Sequence, residues 1–147
     1  MKRISMTAIA IALLAYGAAA GATDSTSDLI RRDAPKGISE TFYACIDKAN
    51  TNNIEEAACI SQERERQDHR LNATYSALLH KLNADQKKNL IAAERVWLKF
   101  RDSTIDFEDS LYSNDIVDNL QVAENELFVI CRRADELNEY LAIANGE

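Results

Sequence analysis

Apolar residues recur at steps of three and four residues along three long stretches of the chain, which is the spacing of one face of an α-helix. The three sets are Leu71, Tyr75, Leu78 and Leu82; Leu90, Ala93, Trp97, Phe100, Thr104, Phe107 and Leu111; and Leu120, Ala123, Leu127, Ile130, Ala134, Leu137 and Leu141. Alternating runs of β-branched residues separated by turn dipeptides do not occur in the sequence. The pattern therefore predicts an all-α protein.

The stretch from Leu71 to Asp102 is predicted to form one antiparallel helix pair with its turn. Asn83 interrupts the first apolar set, and Gln86 follows it three residues later, which is the spacing of a capping box. The second set then begins, and its alternating steps of three and four predict a seam that packs against another helix.

Four helices are predicted in all. A short one, SETFYACIDKA, begins at Ser39 and ends before the Asn-rich segment 50–53, and a long one follows to Leu82. The third spans Ala84 to about Leu111, and the fourth ends at Asn145-Gly146. Short connections predict one antiparallel bundle, with residues 39–147 as a single domain. Its seams can be satisfied within one chain or between two, so the oligomeric state stays open.

The N-terminus has the form of a secretory signal peptide, residues 1–22. Lys2 and Arg3 precede a short apolar run, and small residues follow, with cleavage expected after Ala22 and Ala20 as the second choice. The run is shorter than the roughly 20 residues of a membrane span, so no stable membrane anchor is expected. The polar residues 23–38 are predicted to be a flexible segment, and the mature protein is expected to be exported.

Charge narrows the choice of partner. The formal net charge is −7, and removal of Lys2 and Arg3 with the signal peptide takes it to −9. An acidic exported protein is not expected to bind nucleic acid. Acidity favours basic partners by steering their encounter, and it also serves solubility alone.

Three cysteines remain in a chain expected to reach an oxidising compartment. Cys45 and Cys59 each lie seven residues from Asn52, so two helices that fold back at the Asn-rich break bring them level. We predict a disulfide between them. Cys131, beside the apolar seam of the last helix, is predicted to be a buried free thiol, although a catalytic thiol is the alternative.

The sequence contains no pattern typical of a catalytic, metal or cofactor site. His69 and His80 are eleven residues apart on one predicted helix, too far to share a metal ion, and no H-E-x-x-H or Cys-x-x-Cys occurs. No Gly-rich phosphate loop and no G-x-S-x-G are present. We therefore expect no enzyme activity, no cofactor and no metal.

Two short motifs, Leu71-Asn72-x-x-Tyr75 and Trp97-Leu98-x-Phe100-Arg101-Asp102, are flanked by the cysteine pair Cys45 and Cys59 and by Cys131. This combination resembles the LprI-like lysozyme-inhibitor family of bacterial exported proteins. The resemblance covers roughly Phe42 to Leu141. The family often has a further Cys shortly after the Arg-Asp pair, where this chain has Ile105.

The resemblance implies a periplasmic lysozyme inhibitor-like protein that acts by protein–protein binding. Trp97 and Phe100 are expected in the core, while Arg101 and Asp102 either pair with neighbours or with Asn72, or engage the partner. The segment Tyr112 to Asp118 is the best exposed candidate for contact, with Asp115 and Asp118 as partner-binding residues. The alternatives are a periplasmic immunity protein that neutralises a toxin from a competing bacterium, an envelope interaction protein, and a thiol enzyme based on Cys131.

Overall fold

The computed structural model of the protein describes residues 24–112 and 115–146, and these two ranges contain five helices. They are α1 (Thr26–Asp33), α2 (Glu40–Ala49), α3 (Asn53–Lys81), α4 (Ala84–Leu111) and α5 (Ile116–Asn145). No strand occurs in these two ranges, which confirms the all-α prediction. Nor is any helix within them long and apolar enough to cross a membrane. The predicted signal peptide, residues 1–22, lies outside the described residues.

Side chains at the helix ends satisfy backbone groups that the helices leave open. Ser39 accepts a bond from the backbone N–H of Phe42 at the start of α2. Asn83 and Gln86 form the predicted capping box at the start of α4, since each side chain accepts from the other residue's backbone N–H. Gly146 ends α5 with a positive φ of 81°, a conformation that glycine adopts without strain.

Helix α1 lies inside residues 23–38, where we predicted a flexible segment and no helix. Ser25 and Asp28 form a capping box at its start. The hydroxyl of Ser27 donates to the Asp47 carboxylate of α2 at 2.8 Å, and Arg31 forms an ion pair with Glu40 of α2 at 2.7 Å. Two short helices therefore occur where one was predicted, and contacts with carboxylates of α2 hold α1 in place.

The predicted disulfide between Cys45 and Cys59 is present, with a Cα–Cα distance of 5.8 Å. It joins α2 to α3 on either side of the Asn-rich turn, where the side chain of Asn52 caps α3 by accepting from the N–H groups of Ile54 and Glu55. Cys131 is a fully buried free thiol, as predicted.

Helices α3 and α5 form the closest helix pair, and they run in the same direction. Arg64 contacts Glu126 and, further along both helices, Arg70 contacts Asp135. Residue numbers therefore increase in the same direction along the two helices. The buried residues of α5 include most of its predicted seam: Leu120, Leu127, Ile130, Ala134 and Leu137. The small side chains of Ala134 and Cys131 are fully buried, which allows the two backbones to approach closely.

Helix α4 runs antiparallel to α5, but it does not form the close pair with α3 that we predicted. Its contacts are mainly with α5. Within α4, all of whose residues are described, only Glu94 is buried. The prediction of a packed seam is wrong for Phe100, Phe107 and Leu111, which are 60–65% exposed. Because α3 and α5 close on each other, α4 lies beside the pair and not within it.

A partly buried polar network fixes the segment before α2 to the α3–α5 pair. Gly37 donates its backbone N–H to Asp135 at 3.2 Å and accepts a bond from the Gln67 side chain at 2.8 Å. Arg70 donates to Gln67 and, at 2.7 Å, to Asp135. A Cβ atom built on Gly37 would overlap the Arg70 guanidinium, so glycine is the residue that fits here.

The network continues to Glu63, which is fully buried in the otherwise charged middle of α3. Its carboxylate accepts from the backbone N–H of Ser39 at 3.0 Å, from the Ser39 hydroxyl at 2.6 Å and from the Gln67 side chain at 2.7 Å. Burial raises the pKa of Glu63, but these bonds and the charge of Arg66 outweigh burial and lower that pKa below its usual value. A buried charge that is fully hydrogen-bonded is stable in this position.

Candidate partner-binding surface

The two motif stretches meet in one apolar cluster. Leu71 is buried, and Tyr75 and Trp97 pack half-buried against the same group of residues, which includes Leu78 and Ala134. The structure thus brings Leu71, Tyr75 and Trp97 together in a cluster to which α3, α4 and α5 all contribute. A shallow groove of about 330 Å³ lies over this contact, with Leu71, Asn72 and Tyr75 on its α3 side and Ile91, Glu94, Arg95 and Leu98 on its α4 side.

The polar residues of the motifs do not link the two helices. Asn72 donates to the backbone oxygen of Asp68 in its own helix at 2.9 Å. Arg101 donates to the adjacent Asp102 at 2.7 Å, and its guanidinium lies 5.5 Å from the Trp97 ring centre. Of the two pairings expected for Arg101 and Asp102, the structure has the one with a neighbouring residue. No hydrogen bond from either residue to Asn72 is found among the described residues. Phe100, expected in the core, is instead 60% exposed.

A buried ion pair that the sequence did not reveal links α4 to α5. Glu94 and Arg133 are each about nine-tenths buried, and Arg133 also donates to Glu136 at 2.9 Å. Burial lowers the pKa of Arg133, but its bonds to the two carboxylates outweigh burial and raise it. The Arg133 guanidinium also lies 5.7 Å from the ring centre of Trp97. The pair therefore positions the Trp97 ring from the α5 side.

Apolar and acidic side chains, most of them exposed, occur where α4 ends and α5 begins. We call this region the acidic tip and define it as Asp109, Tyr112, Asp115, Ile116, Val117 and Asp118. Ile116 and Val117 are 50% and 62% exposed, and Tyr112 is 38% exposed. Asp115 caps α5 by accepting from the N–H groups of Val117 and Asp118, both at 3.0 Å. The candidate binding segment 112–118 thus lies in this region, while its residues 113 and 114 are outside the described residues.

The structure places both histidines on the surface and the free cysteine in the core. His69 and His80 are exposed, and residues 24–112 and 115–146 contain no group of metal-binding side chains. Burial raises the pKa of the Cys131 thiol to about 11, so it is a protonated, inert group at neutral pH. Two exposed regions are available for binding a partner: the acidic tip and one face of α4.

The described residues form helices only, with a Cys45–Cys59 disulfide, a buried cysteine in the last helix and the two motifs in contact. These features agree with the protein family that the sequence resembles. The chain belongs to the family described as Lysozyme inhibitor LprI, which it matches over residues 45–137. The match runs from α2 into α5 and includes both motifs. No curated protein and no solved structure matches the chain. The family is one of inhibitors and not of enzymes.

Proposed function

We propose that this protein is a periplasmic inhibitor of lysozyme that acts by binding the enzyme. The observation that carries the proposal is the family match, which covers most of α2 to α5. The signal-peptide pattern in residues 1–22 supports export. The Cys45–Cys59 disulfide supports an oxidising compartment, where such bonds form and persist.

The acidic tip is the surface that we propose contacts the enzyme. Lysozyme is a basic protein whose cleft carries two catalytic carboxyl groups. Acidic side chains around the tip speed the encounter with a basic protein, because opposite potentials steer diffusion. Ile116 and Val117 then supply the apolar contact area that holds a complex after water is expelled. Charge and apolar exposure occur together at this place.

A variant that removes charge at the tip but keeps its fold tests the proposal. One triple variant combines Asp109→Asn, Asp115→Asn and Asp118→Asn; the cap of α5 is retained, because Asn and Asp are equally good N-caps. We expect lysozyme affinity to fall about tenfold at low salt, mainly through slower association. The measurement is surface plasmon resonance against lysozyme at two salt concentrations, with circular dichroism to verify helix content.

The matched control removes the same number of charges elsewhere. Glu65, Asp85 and Glu139 are exposed on α3, α4 and α5 away from the tip, and their replacement by Gln, Asn and Gln gives the same net charge. We expect this control to bind nearly as well as the wild type. Equal losses in the two triple variants would mean that net charge, and not the tip, drives binding. Unchanged affinity in the tip variant would refute the tip as the contact surface.

A further inference from the structure

One face of α4 presents large apolar side chains to solvent over most of the helix's second half. Val96, Phe100, Phe107 and Leu111 are 67%, 60%, 61% and 65% exposed. Their spacing of four, seven and four residues places them on one side of the helix, and we call this set the α4 stripe. Glu94, which contacts α5, lies on another side of α4. The stripe therefore faces away from the chain's own core.

The α4 stripe is symmetric along the helix. Val96 and Leu111 are equally far from the midpoint between Ser103 and Thr104, and so are Phe100 and Phe107. When two copies of α4 cross antiparallel at this midpoint, each Phe100 meets the Phe107 of the other copy, and each Val96 meets a Leu111. A two-fold interface requires this self-complementarity. The small side chains of Ser103 and Thr104 stand at the crossing point, where two helices come closest.

Charges beside the stripe also meet opposite charges in this arrangement. Lys99 and Asp106 are both exposed and are seven residues apart, so they lie on the same flank of the helix. In the antiparallel pair, Lys99 of one copy comes within about 3 Å, measured along the axis, of Asp106 in the other copy. The two-fold axis repeats this contact, which gives two pairs of opposite charge and no like-charge contact between them. Flanking pairs of this kind set partner choice and orientation in helix pairs.

We propose that the α4 stripe is a dimer interface and that its partner is a second copy of this chain. The two helices bury their stripes on each other over about 22 Å from Val96 to Leu111. The acidic tips then lie at opposite ends of the paired helices. The proposal does not rest on lysozyme binding, because it uses only the shape and charge of α4.

The first test is the mass of the protein in solution. The full chain, expressed with export, is analysed by sedimentation over a wide concentration range, and we expect a reversible dimer. Phe107→Asp should shift the protein to the monomer at the same concentrations, with unchanged helix content by circular dichroism. Ile143→Asp, at a residue that is 72% exposed near the end of α5, is the control and should remain dimeric. A wild-type monomer at all concentrations, or a dimer in the Phe107 variant, would overturn the proposal.

A charge exchange tests orientation independently of apolar burial. Lys99→Asp alone and Asp106→Lys alone should each weaken the dimer several-fold, because each places like charges in contact. Combining the two restores opposite charges and should return the dissociation constant close to the wild-type value. Failure of the combined variant to recover would exclude the antiparallel arrangement. In addition, Ser103→Cys at the two-fold axis should form an intermolecular disulfide under mild oxidation, whereas Ile143→Cys should not.

Discussion

Arg133 holds Glu94 by two hydrogen bonds to a single carboxylate oxygen, Oε2, at 3.0 Å from Nε and 2.6 Å from Nη2. The second oxygen of Glu94, Oε1, is buried and has no hydrogen-bond partner among the described residues. This ion pair is the main polar link between α5 and α4, a helix that is otherwise loosely packed. We therefore expect Glu94 and Arg133 to hold α4 against α5.

Removal of one partner should destabilise the protein strongly. Glu94→Ala leaves the Arg133 charge buried with only Glu136 beside it, and we expect a loss of about 3 kcal/mol in the free energy of unfolding, measured by urea denaturation. Replacement of both Glu94 and Arg133 by Met should recover most of this loss, because no charge is then left buried. A single variant within about 0.5 kcal/mol of the wild type, the range of ordinary surface substitutions, would show that the pair does not secure α4.

Gly37 is the second sensitive position. Its substitution by Ala forces the Arg70 guanidinium and the Asp135 carboxylate away from the backbone of residue 37, because the new Cβ would overlap both side chains. We expect a loss of about 1–3 kcal/mol in unfolding free energy, as for other overpacked sites. Lys36→Ala, at the exposed neighbouring residue, is the control and should be nearly neutral. Equal thermal stability of the two variants would contradict the role of the network.

Glu124 should make stability depend on pH. Burial, with further contributions from the negative charges of Glu56 and Asp33, raises its pKa to about 7. A raised carboxyl pKa means that the folded state holds the proton more tightly, so stability falls as pH rises from about 4.5 to 7. Glu124→Gln removes this dependence. We expect the variant to melt higher than the wild type at about pH 8 and equally at about pH 4, on either side of this window. A lower melting temperature at the higher pH would contradict this reasoning.

Cys131 should not react in the folded protein. Its thiol is fully buried, and burial raises its pKa to about 11, so little thiolate exists near neutral pH. Ellman's reagent should therefore detect no free thiol in the native protein and one equivalent of thiol per chain after unfolding in guanidinium chloride. Rapid reaction in the native state would reopen the alternative of a thiol enzyme.

Features set by neighbouring residues could be predicted from the sequence. The Asn83–Gln86 capping box, the Gly146 end of α5 and the Cys45–Cys59 bond each depend on spacing within one turn or one hairpin. The α5 seam was also predictable, since a long periodic stripe with no competing charge has one way to be buried. The same local reasoning could have found α1, because Ser25 and Asp28 show the capping-box spacing.

Features that depend on three-dimensional partners were not predictable. The α4 seam has the same period as that of α5, but α3 and α5 pack on each other and leave Phe100 and Phe107 outside. Likewise, Glu63 lies among charged residues and gives no sign of burial, because its partner Ser39 comes from a distant part of the chain. The roles of Asn72, Phe100, Arg101 and Asp102 in binding remain predictions.

Inhibition of lysozyme is the most direct test of the proposed function. The protein from Thr23 onward is titrated into lysozyme acting on bacterial cell walls, at low and moderate salt. We expect saturable inhibition near one protein chain per enzyme molecule, weakened but not abolished by salt, since acidic side chains steer the encounter and apolar contacts hold the complex. No inhibition of either animal-type or bacterial lysozymes would contradict it.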